Sequence, residues 1–120
     1  MLIGEVDGSM VPIVNYPDRQ AKDRRKKKTV MWKEAKLCLT RAPDKITPTI
    51  AVTLGDAQAC GELWRRVAQA SGFGKITRLH GLGDGASWIA HQMEIQFGAQ
   101  ACSMIDFYHV CEYLTPVAAQ

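Results

Sequence analysis

Three strand patterns in succession, before any helix pattern, most constrain the fold of this 120-residue chain. Residues 2–14, 29–41 and 46–55 are rich in apolar and β-branched residues, and the second segment alternates with the period of two that is typical of a strand. Strands that follow each other directly along a chain favour antiparallel pairing. We therefore expect the first half of the chain to form a three-stranded antiparallel meander.

The pattern changes after this meander. Residues 56–72 have the apolar spacing of an amphipathic helix, with Asp56 as N-cap and Gly72 as the stop signal. Alternating strands and helices follow: a strand over 75–83, a helix over 86–98, a strand over 101–110 and a helix start at 111. Such units pair in parallel through right-handed crossovers. The sequence predicts an α/β fold with a mixed five-stranded sheet, three antiparallel strands followed by parallel βαβ units, and helices on its faces.

This order of elements is the one found in the RNase H-like fold, where the first and fourth strands are neighbours. In such a sheet Asp7 and Asp84 face each other, although 77 residues separate them. Adjacent carboxylates repel unless a cation lies between them. Mg²⁺ prefers oxygen ligands, and two ions about 4 Å apart stabilise the attacking and leaving oxygens of phosphodiester displacement. We expect these two aspartates to bind metal and to be catalytic.

The glycine-rich segment Gly81–Gly85 has two other interpretations. An Asp-Gly dipeptide is common in turns. The segment also looks like the phosphate-binding loop of a nucleotide- or methyl-donor-binding Rossmann domain, and Asp106 follows Asp84 by 22 residues, near the expected acidic position. Three antiparallel strands precede this segment and little chain follows it, which disfavours a doubly wound sheet.

Positive charge is concentrated in one part of the chain. Residues 19–45 contain eleven of the fifteen lysines and arginines but three of the twelve acids, a local balance of +8 in a chain of net charge +3. A cationic run is either a solvated loop or a contact to a phosphate backbone, and in the second case binding falls steeply with salt. The candidate DNA-binding residues are the consecutive Arg24, Arg25, Lys26, Lys27 and Lys28, followed by Lys33 and Lys36.

Cysteine usage and hydropathy indicate the compartment. Four cysteines without a CxxC pair or a regular framework predict buried free thiols in a reducing cytoplasm: Cys38, Cys60, Cys102 and Cys111. A zinc site from Cys102, His109, Cys111 and His80 is an alternative without recognised ligand spacing. Neither an apolar run of about 18 residues nor a signal-peptide pattern is present. We expect a cytoplasmic, nucleoid-associated protein without membrane contact.

Three segments carry a recognisable combination of motifs: "DGSMVPIVNYPD…DRRKKKTVMWKEAKLCL", "GDGASWIA" and "DFYHVCEYL". From about residue 4 to 114 the chain resembles the DDE transposases of bacterial insertion sequences, in the Kra-type group, and more distantly the Mutator-like transposases. In this resemblance Asp7 and Asp84 match the first two catalytic aspartates. The "DFYH" segment is similar to the Asp-or-Cys, two residues, His signature of Mutator-like relatives, so Asp106 and His109 are candidate accessory residues.

The resemblance implies an enzyme that cuts and joins DNA with two Mg²⁺ or Mn²⁺ ions held by two aspartates and a glutamate, acting as a homo-oligomer. That glutamate lies well downstream in the family; Glu112 is a candidate, but it comes too early for the pattern. The DNA-binding region that precedes the first aspartate is missing as well. We therefore expect residues 1–120 to be a single partial catalytic domain, inactive by itself in strand transfer. The alternative is a non-catalytic nucleic-acid-binding remnant.

Overall fold

The backbone forms a five-stranded mixed sheet with two helices packed on one face. The computed structural model describes residues 1–17, 20, 22, 23 and 28–119. The elements follow in the order β1 (Leu2–Asn15), β2 (Thr29–Arg41), β3 (Thr49–Thr53), α1 (Ala57–Ala70), β4 (Leu79–Gly83), α2 (Ser87–Phe97), β5 (Ala101–Ile105) and α3 (Phe107–Ala118), with a single 3-10 turn over Gly98–Gln100 between α2 and β5.

The strands lie in the order β3-β2-β1-β4-β5. β2 is antiparallel to both β1 and β3, whereas β4 is parallel to β1 and β5 is parallel to β4. The predicted mixed sheet, with an antiparallel meander followed by parallel strands, is therefore confirmed. The first and fourth strands are hydrogen-bonded neighbours, as expected.

The core lies between the sheet and the two helices α1 and α2. Trp64 on α1 is its largest fully buried side chain, and its ring meets that of Phe97 on α2 edge-on, with 5.4 Å between centroids. The indole Nε1 donates hydrogen bonds to Thr40 Oγ1 and to the Leu39 carbonyl, both at 3.2 Å, which satisfies its polar atom. Asp56 caps α1 by accepting a bond from the Ala59 amide, as predicted from the sequence. Helix α3, by contrast, has no buried residue among those described.

Two glycines of β4 make the close approach of these helices possible. A Cβ at Gly81 would collide with Met93 of α2, and one at Gly83 would lie 3.0 Å from Ile89 Cδ1. Both glycines therefore face the packed helices, and their side of the sheet is occupied. Packing against α2 therefore explains why β4 has glycine at these two positions, and no bound phosphate is needed to explain them.

The third, fourth and fifth strands are shorter than the sequence predicted. The fourth strand begins at 79 instead of 75, because residues 74–77 form a turn whose Gly74 and Thr77 carbonyls accept from Gln100 Nε2 at 2.8 Å. The third strand begins at 49, after a turn held by Arg41, whose guanidinium donates to the Lys45 carbonyl at 3.1 Å. The fifth strand ends at 105, because Asp106 caps a helix there.

The cysteines divide into two groups, and all four are free. Cys38 and Cys60 are buried, as expected, whereas Cys102 and Cys111 are exposed, which corrects the prediction that all four thiols are buried. In the described part of the chain, no helix has the length and apolar character required to cross a membrane.

Candidate active site

Three aspartates lie at one level of three adjacent parallel strands. The register between β1 and β4 pairs Glu5 with Leu82, so Asp7 and Asp84, each two residues further on, are level with each other. The register between β4 and β5 pairs Gly83 with Ile105, and the next residue of each strand is Asp84 or Asp106. Neighbouring strands are roughly 4.8 Å apart. The structure thus brings Asp7 and Asp84, the two predicted metal-binding aspartates, to one site together with Asp106, which the sequence predicted as an accessory residue.

Asp7 and Asp84 project from the face of the sheet opposite α1 and α2. Val6, which precedes Asp7, is 2% exposed and belongs to the core, whereas Asp7 itself is exposed. Gly83, which precedes Asp84, faces Ile89 of α2. Because successive residues of a strand point to opposite faces, both aspartates are directed away from the helices.

A cavity of about 380 Å³ opens at the ends of β4 and β5, beside residues 5–7 of β1. Four acidic side chains and one imidazole contribute to its lining, which consists of Glu5, Val6, Asp7, Leu82, Gly83, Asp84, Asp106, Tyr108 and His109. Sequence reasoning did not identify Glu5 as part of this site. The period-2 alternation of a strand would have found it, since Glu5 is two residues before Asp7 and shares its face.

Each of the two central carboxylates uses one oxygen within the protein. Asp7 Oδ1 accepts from the Gly8 amide at 2.8 Å, and Asp84 Oδ1 accepts from the Ala86 amide at 2.8 Å. The Oδ2 atoms of both aspartates accept no hydrogen bond from the described residues. One oxygen on each carboxylate therefore remains available to a ligand.

Asp106 and His109 form an ion pair at the edge of the cavity. Asp106 Oδ1 accepts from the His109 amide at 3.1 Å, and its Oδ2 lies 2.5 Å from His109 Nδ1. These bonds to His109, first from its amide and then from its side chain, lower the pKa of Asp106. The Asp106 side chain in turn raises the pKa of His109, with smaller contributions from the charges of Glu112 and Asp84. The pair fixes the imidazole through Nδ1 and leaves Nε2 without a partner among the described residues.

Helix α3 contacts the loop after β4 through Tyr113. Its hydroxyl donates to the Asp84 carbonyl at 3.3 Å. The same hydroxyl would lie 3.2 Å from a Cβ at Gly85, whose φ of +90° also favours glycine. Glu112, the candidate third acid, is exposed on α3 and does not line the cavity. Sequence reasoning did not identify Tyr113, and no motif distinguishes it.

The predicted cationic residues fall into three environments. The four residues Arg24, Arg25, Lys26 and Lys27 lie outside the described residues. Lys28 and Lys33 are exposed, the first just before β2 and the second within it.

Lys36 is 8% exposed and belongs to the protein interior. Its ammonium lies 3.0 Å from Glu34 Oε2, donates to the Gly55 carbonyl at 3.2 Å and sits 5.8 Å from the ring centroid of Trp88. Lys36 therefore takes part in packing between β2 and α2, which differs from the exposed DNA contact expected for it.

The donor atoms of the cavity fit a cation that keeps much of its water shell. Over residues 1–17, 20, 22, 23 and 28–119, no group of three or more His, Cys, Asp or Glu side chains is close enough to hold a metal ion. Mg²⁺ typically takes one or two protein carboxylates, several waters and substrate phosphate oxygens. The free Oδ2 atoms of Asp7 and Asp84 meet that requirement.

Comparison with known proteins identifies no relative. The chain matches no protein-family model, and no curated protein and no solved structure matches it significantly. The resemblance to DDE transposases consequently stays a prediction from the motifs around Asp7, Asp84 and His109, and the function is inferred from the site.

Proposed function

We propose that this chain is part of the RNase H-like catalytic core of a DDE transposase, which cuts and joins DNA by metal-dependent phosphodiester transfer. The observation that carries this proposal is the level placement of Asp7 and Asp84 on neighbouring strands, each with one free carboxylate oxygen and both lining one cavity. The strand order β3-β2-β1-β4-β5 is the order expected of that fold and supports the same conclusion.

Asp7 and Asp84 would hold Mg²⁺ or Mn²⁺ through their Oδ2 atoms. Two carboxylates on strands roughly 4.8 Å apart repel each other, and a divalent ion between them removes this repulsion. When bound, two such ions would stabilise charge on the attacking and leaving oxygens of the phosphodiester. The protein's part is to fix one carboxylate on β1 and the other directly after β4, and the Gly8 and Ala86 amides do this by donating hydrogen bonds to the Oδ1 atoms.

His109 provides the positive charge at the cavity. The imidazole is held through Nδ1 by Asp106, so the Nε2–H of the protonated ring would donate to a phosphate oxygen of the DNA strand. This positions the backbone against the two aspartates without contacting a base. Asp106 acts through His109 and is therefore a positioning residue.

DNA is the proposed partner because of the charge on the segment that joins β1 to β2. Residues 16–28 contain seven cations and two acids, a formal charge of +5, and this segment connects directly to the strand that carries Asp7. In the transposases that the chain resembles, the third acid lies further downstream. From the same resemblance we expect the complete enzyme to act as a homo-oligomer in the nucleoid. For residues 1–120 we expect binding of metal and DNA without strand transfer.

Isothermal titration with MnCl₂ tests the metal site. We expect the unmodified chain to bind Mn²⁺, and Asp7→Asn and Asp84→Asn each to weaken binding at least about tenfold, since each removes a charged ligand. Asp44→Asn is the matched control, because Asp44 is an exposed acid in the turn before β3, outside the cavity. A flat titration of the unmodified chain would favour the alternative, a non-catalytic nucleic-acid-binding remnant.

A further inference from the structure

A second cavity lies at the end of the sheet opposite Asp7, Asp84 and Asp106. It has a volume of about 150 Å³ and lies between the turn that joins β2 to β3 and the C-terminal end of α1. Arg41, which lines this cavity, pairs with Ile3, and Asp7 lies four residues further along β1. At about 3.3 Å per residue, these two levels of the sheet are roughly 13 Å apart. The second cavity is therefore separate from the proposed metal site.

The second cavity is lined by cations and hydroxyl groups, and none of the described residues that line it carries a carboxylate. Its polar side chains are two cations and four hydroxyls: Arg41, Lys45, Thr40, Thr47, Thr49 and Ser71. Asp44 is an exposed acid in the same turn, but it does not line the cavity and forms no ion pair with a described residue. No acid in the described part of the chain therefore neutralises the positive charge of this cavity.

The Arg41 side chain is held in place by carbonyl groups and lacks a counter-ion. Its Nη1 donates to the carbonyls of Ala42, Pro43 and Lys45, at 3.4, 3.3 and 3.1 Å. Its Nε and Nη2 donate no hydrogen bond to the described residues, and none of their acids pairs with it. A half-buried guanidinium is usually paired, and its planar donors match two oxygens of one phosphate. Arg41 is thus fixed in position with donors available to an anion.

The hydroxyl groups around Arg41 supply further donors. Ser71 Oγ donates to Thr49 Oγ1 at 3.2 Å, so the Thr49 hydroxyl keeps its own hydrogen for a ligand. The Thr47 hydroxyl forms no hydrogen bond with a described residue. The carbonyls of residues 67–69, at the end of α1, accept from the amides that follow the helix. Because these carbonyls are satisfied, the negative end of the helix opposes an anion less strongly.

We propose that this second cavity binds a phosphate group, with Arg41 on two of its oxygens and with Lys45, Thr47 and Thr49 as further donors. A phosphate has more acceptor oxygens than a carboxylate and so uses more of these donors. The cavity has the volume of about five water molecules, which accommodates one phosphate group. The group belongs either to a free phosphorylated compound or to a DNA backbone. The inference uses neither Asp7 nor Asp84 and goes beyond the proposed metal chemistry.

Amide NMR spectra of the chain, titrated with sodium phosphate at constant ionic strength, test this inference. We expect saturable shifts of the Lys45, Thr47 and Thr49 amides, with no such shifts in sodium chloride. Lys45→Gln should weaken phosphate binding at least about fivefold, because it removes a charged donor from the cavity. Lys75→Gln is the matched control, since it makes the same change of charge at an exposed lysine outside the cavity. Both lysines are exposed, so neither variant should disturb the fold.

Three results would overturn the proposal. They are the absence of saturable shifts, equal phosphate affinity of Lys45→Gln and Lys75→Gln, and saturable shifts that are confined to the Asp7 cavity, such as those of His109.

Fluorescence anisotropy with a labelled DNA duplex identifies the source of the phosphate. If Lys45→Gln weakens DNA binding more than Lys75→Gln does, the phosphate belongs to the DNA backbone. If Lys45→Gln weakens phosphate binding alone, the ligand is a free phosphorylated compound. In both cases the phosphate site itself is supported, and its outcome is independent of whether Asp7 and Asp84 bind Mn²⁺.

Discussion

Asp106 and His109 pair at the first turn of α3, with 2.5 Å between Asp106 Oδ2 and His109 Nδ1, and both line the cavity that contains Asp7 and Asp84. The relationship arises from a single local event. The chain leaves β5 at Ile105, Asp106 caps the helix, and the capping geometry brings residue 109 back over the cap. The result is one imidazole held among carboxylates at the ends of β4 and β5 and beside β1.

The pairing predicts a defined pH dependence. The pKa of His109 is raised in the folded chain, so the pair's contribution to stability is complete below the unfolded histidine pKa and is lost as the pH rises through the folded pKa. The pKa of Asp106 is lowered, so its contribution is present above the unfolded aspartate pKa and is lost as the pH falls through the folded pKa. The pair therefore contributes in the mildly acidic range between these limits, and salt weakens it because both side chains are about a third exposed.

Titration of the His109 ring protons by NMR measures this directly. Asp106→Asn should lower the pKa of His109, because the charged partner is lost, while Asp44→Asn should leave it unchanged. An unchanged His109 pKa in Asp106→Asn would remove the positioning role assigned to Asp106.

Gly81→Ala is expected to destabilise the fold. A Cβ at this position would overlap the Met93 side chain and lie 3.0 Å from Trp64 Cη2, and such overpacking typically costs about 1–3 kcal/mol. Gly74→Ala is the control, since a Cβ there would meet only Thr77 Oγ1 at 3.9 Å. Thermal unfolding measures the difference. Gly81→Ala with unchanged stability would reopen the interpretation of the glycines as a ligand-binding loop.

We expect replacement of Lys36 to change the stability of the fold and replacement of Lys33 to change the affinity for DNA. Lys36→Ala removes an interior ammonium bound to Glu34 and to the Gly55 carbonyl, and should lower the free energy of unfolding by about 1–2 kcal/mol. Lys33→Ala removes an exposed cation of β2, and should weaken DNA binding with little change in stability. Chemical denaturation and anisotropy on both variants test the contrast. The opposite pattern would show that Lys36 contacts DNA in solution.

The cationic run Arg24–Lys28 is expected to dominate the salt dependence of DNA binding. Replacing all five residues with alanine should reduce the slope of log K against log salt, since each phosphate contact contributes about 0.9 to the slope on duplex DNA. Anisotropy at several salt concentrations measures the slope, and an unchanged slope would exclude the run from the interface.

The sequence predicts strand adjacency well because period and order are local signals. Alternation and stop residues identified the meander and the later βαβ units, and the order of elements then placed Asp7 beside Asp84. Those signals do not specify burial within a strand. In the sequence, Lys36 cannot be told apart from an exposed lysine of the same strand. Its interior position follows from contacts that only the fold creates, with Glu34, the Gly55 carbonyl and the Trp88 ring.

The end of the fifth strand illustrates a different limit. The segment 101–110 is mostly apolar and indicates one strand, whereas the hydrogen bond from the His109 amide to Asp106 ends the strand after Ile105 and starts a helix. A single aspartate in an apolar segment is a weak indication of a helix N-cap, and the strand propensity of the surrounding residues outweighs it. Asp106 and His109 were therefore predicted as accessory residues from motif resemblance, and their contact was visible only in the structure.

The most direct measurement of the central claim is the anomalous difference density of crystals grown with MnCl₂. We expect a Mn²⁺ peak between the carboxylates of Asp7 and Asp84, within about 2.3 Å of the Oδ2 atom of each. The absence of a peak there at saturating Mn²⁺, or a peak bound by one of these aspartates alone with the other turned away, would contradict a shared metal site and with it the proposed phosphodiester transfer.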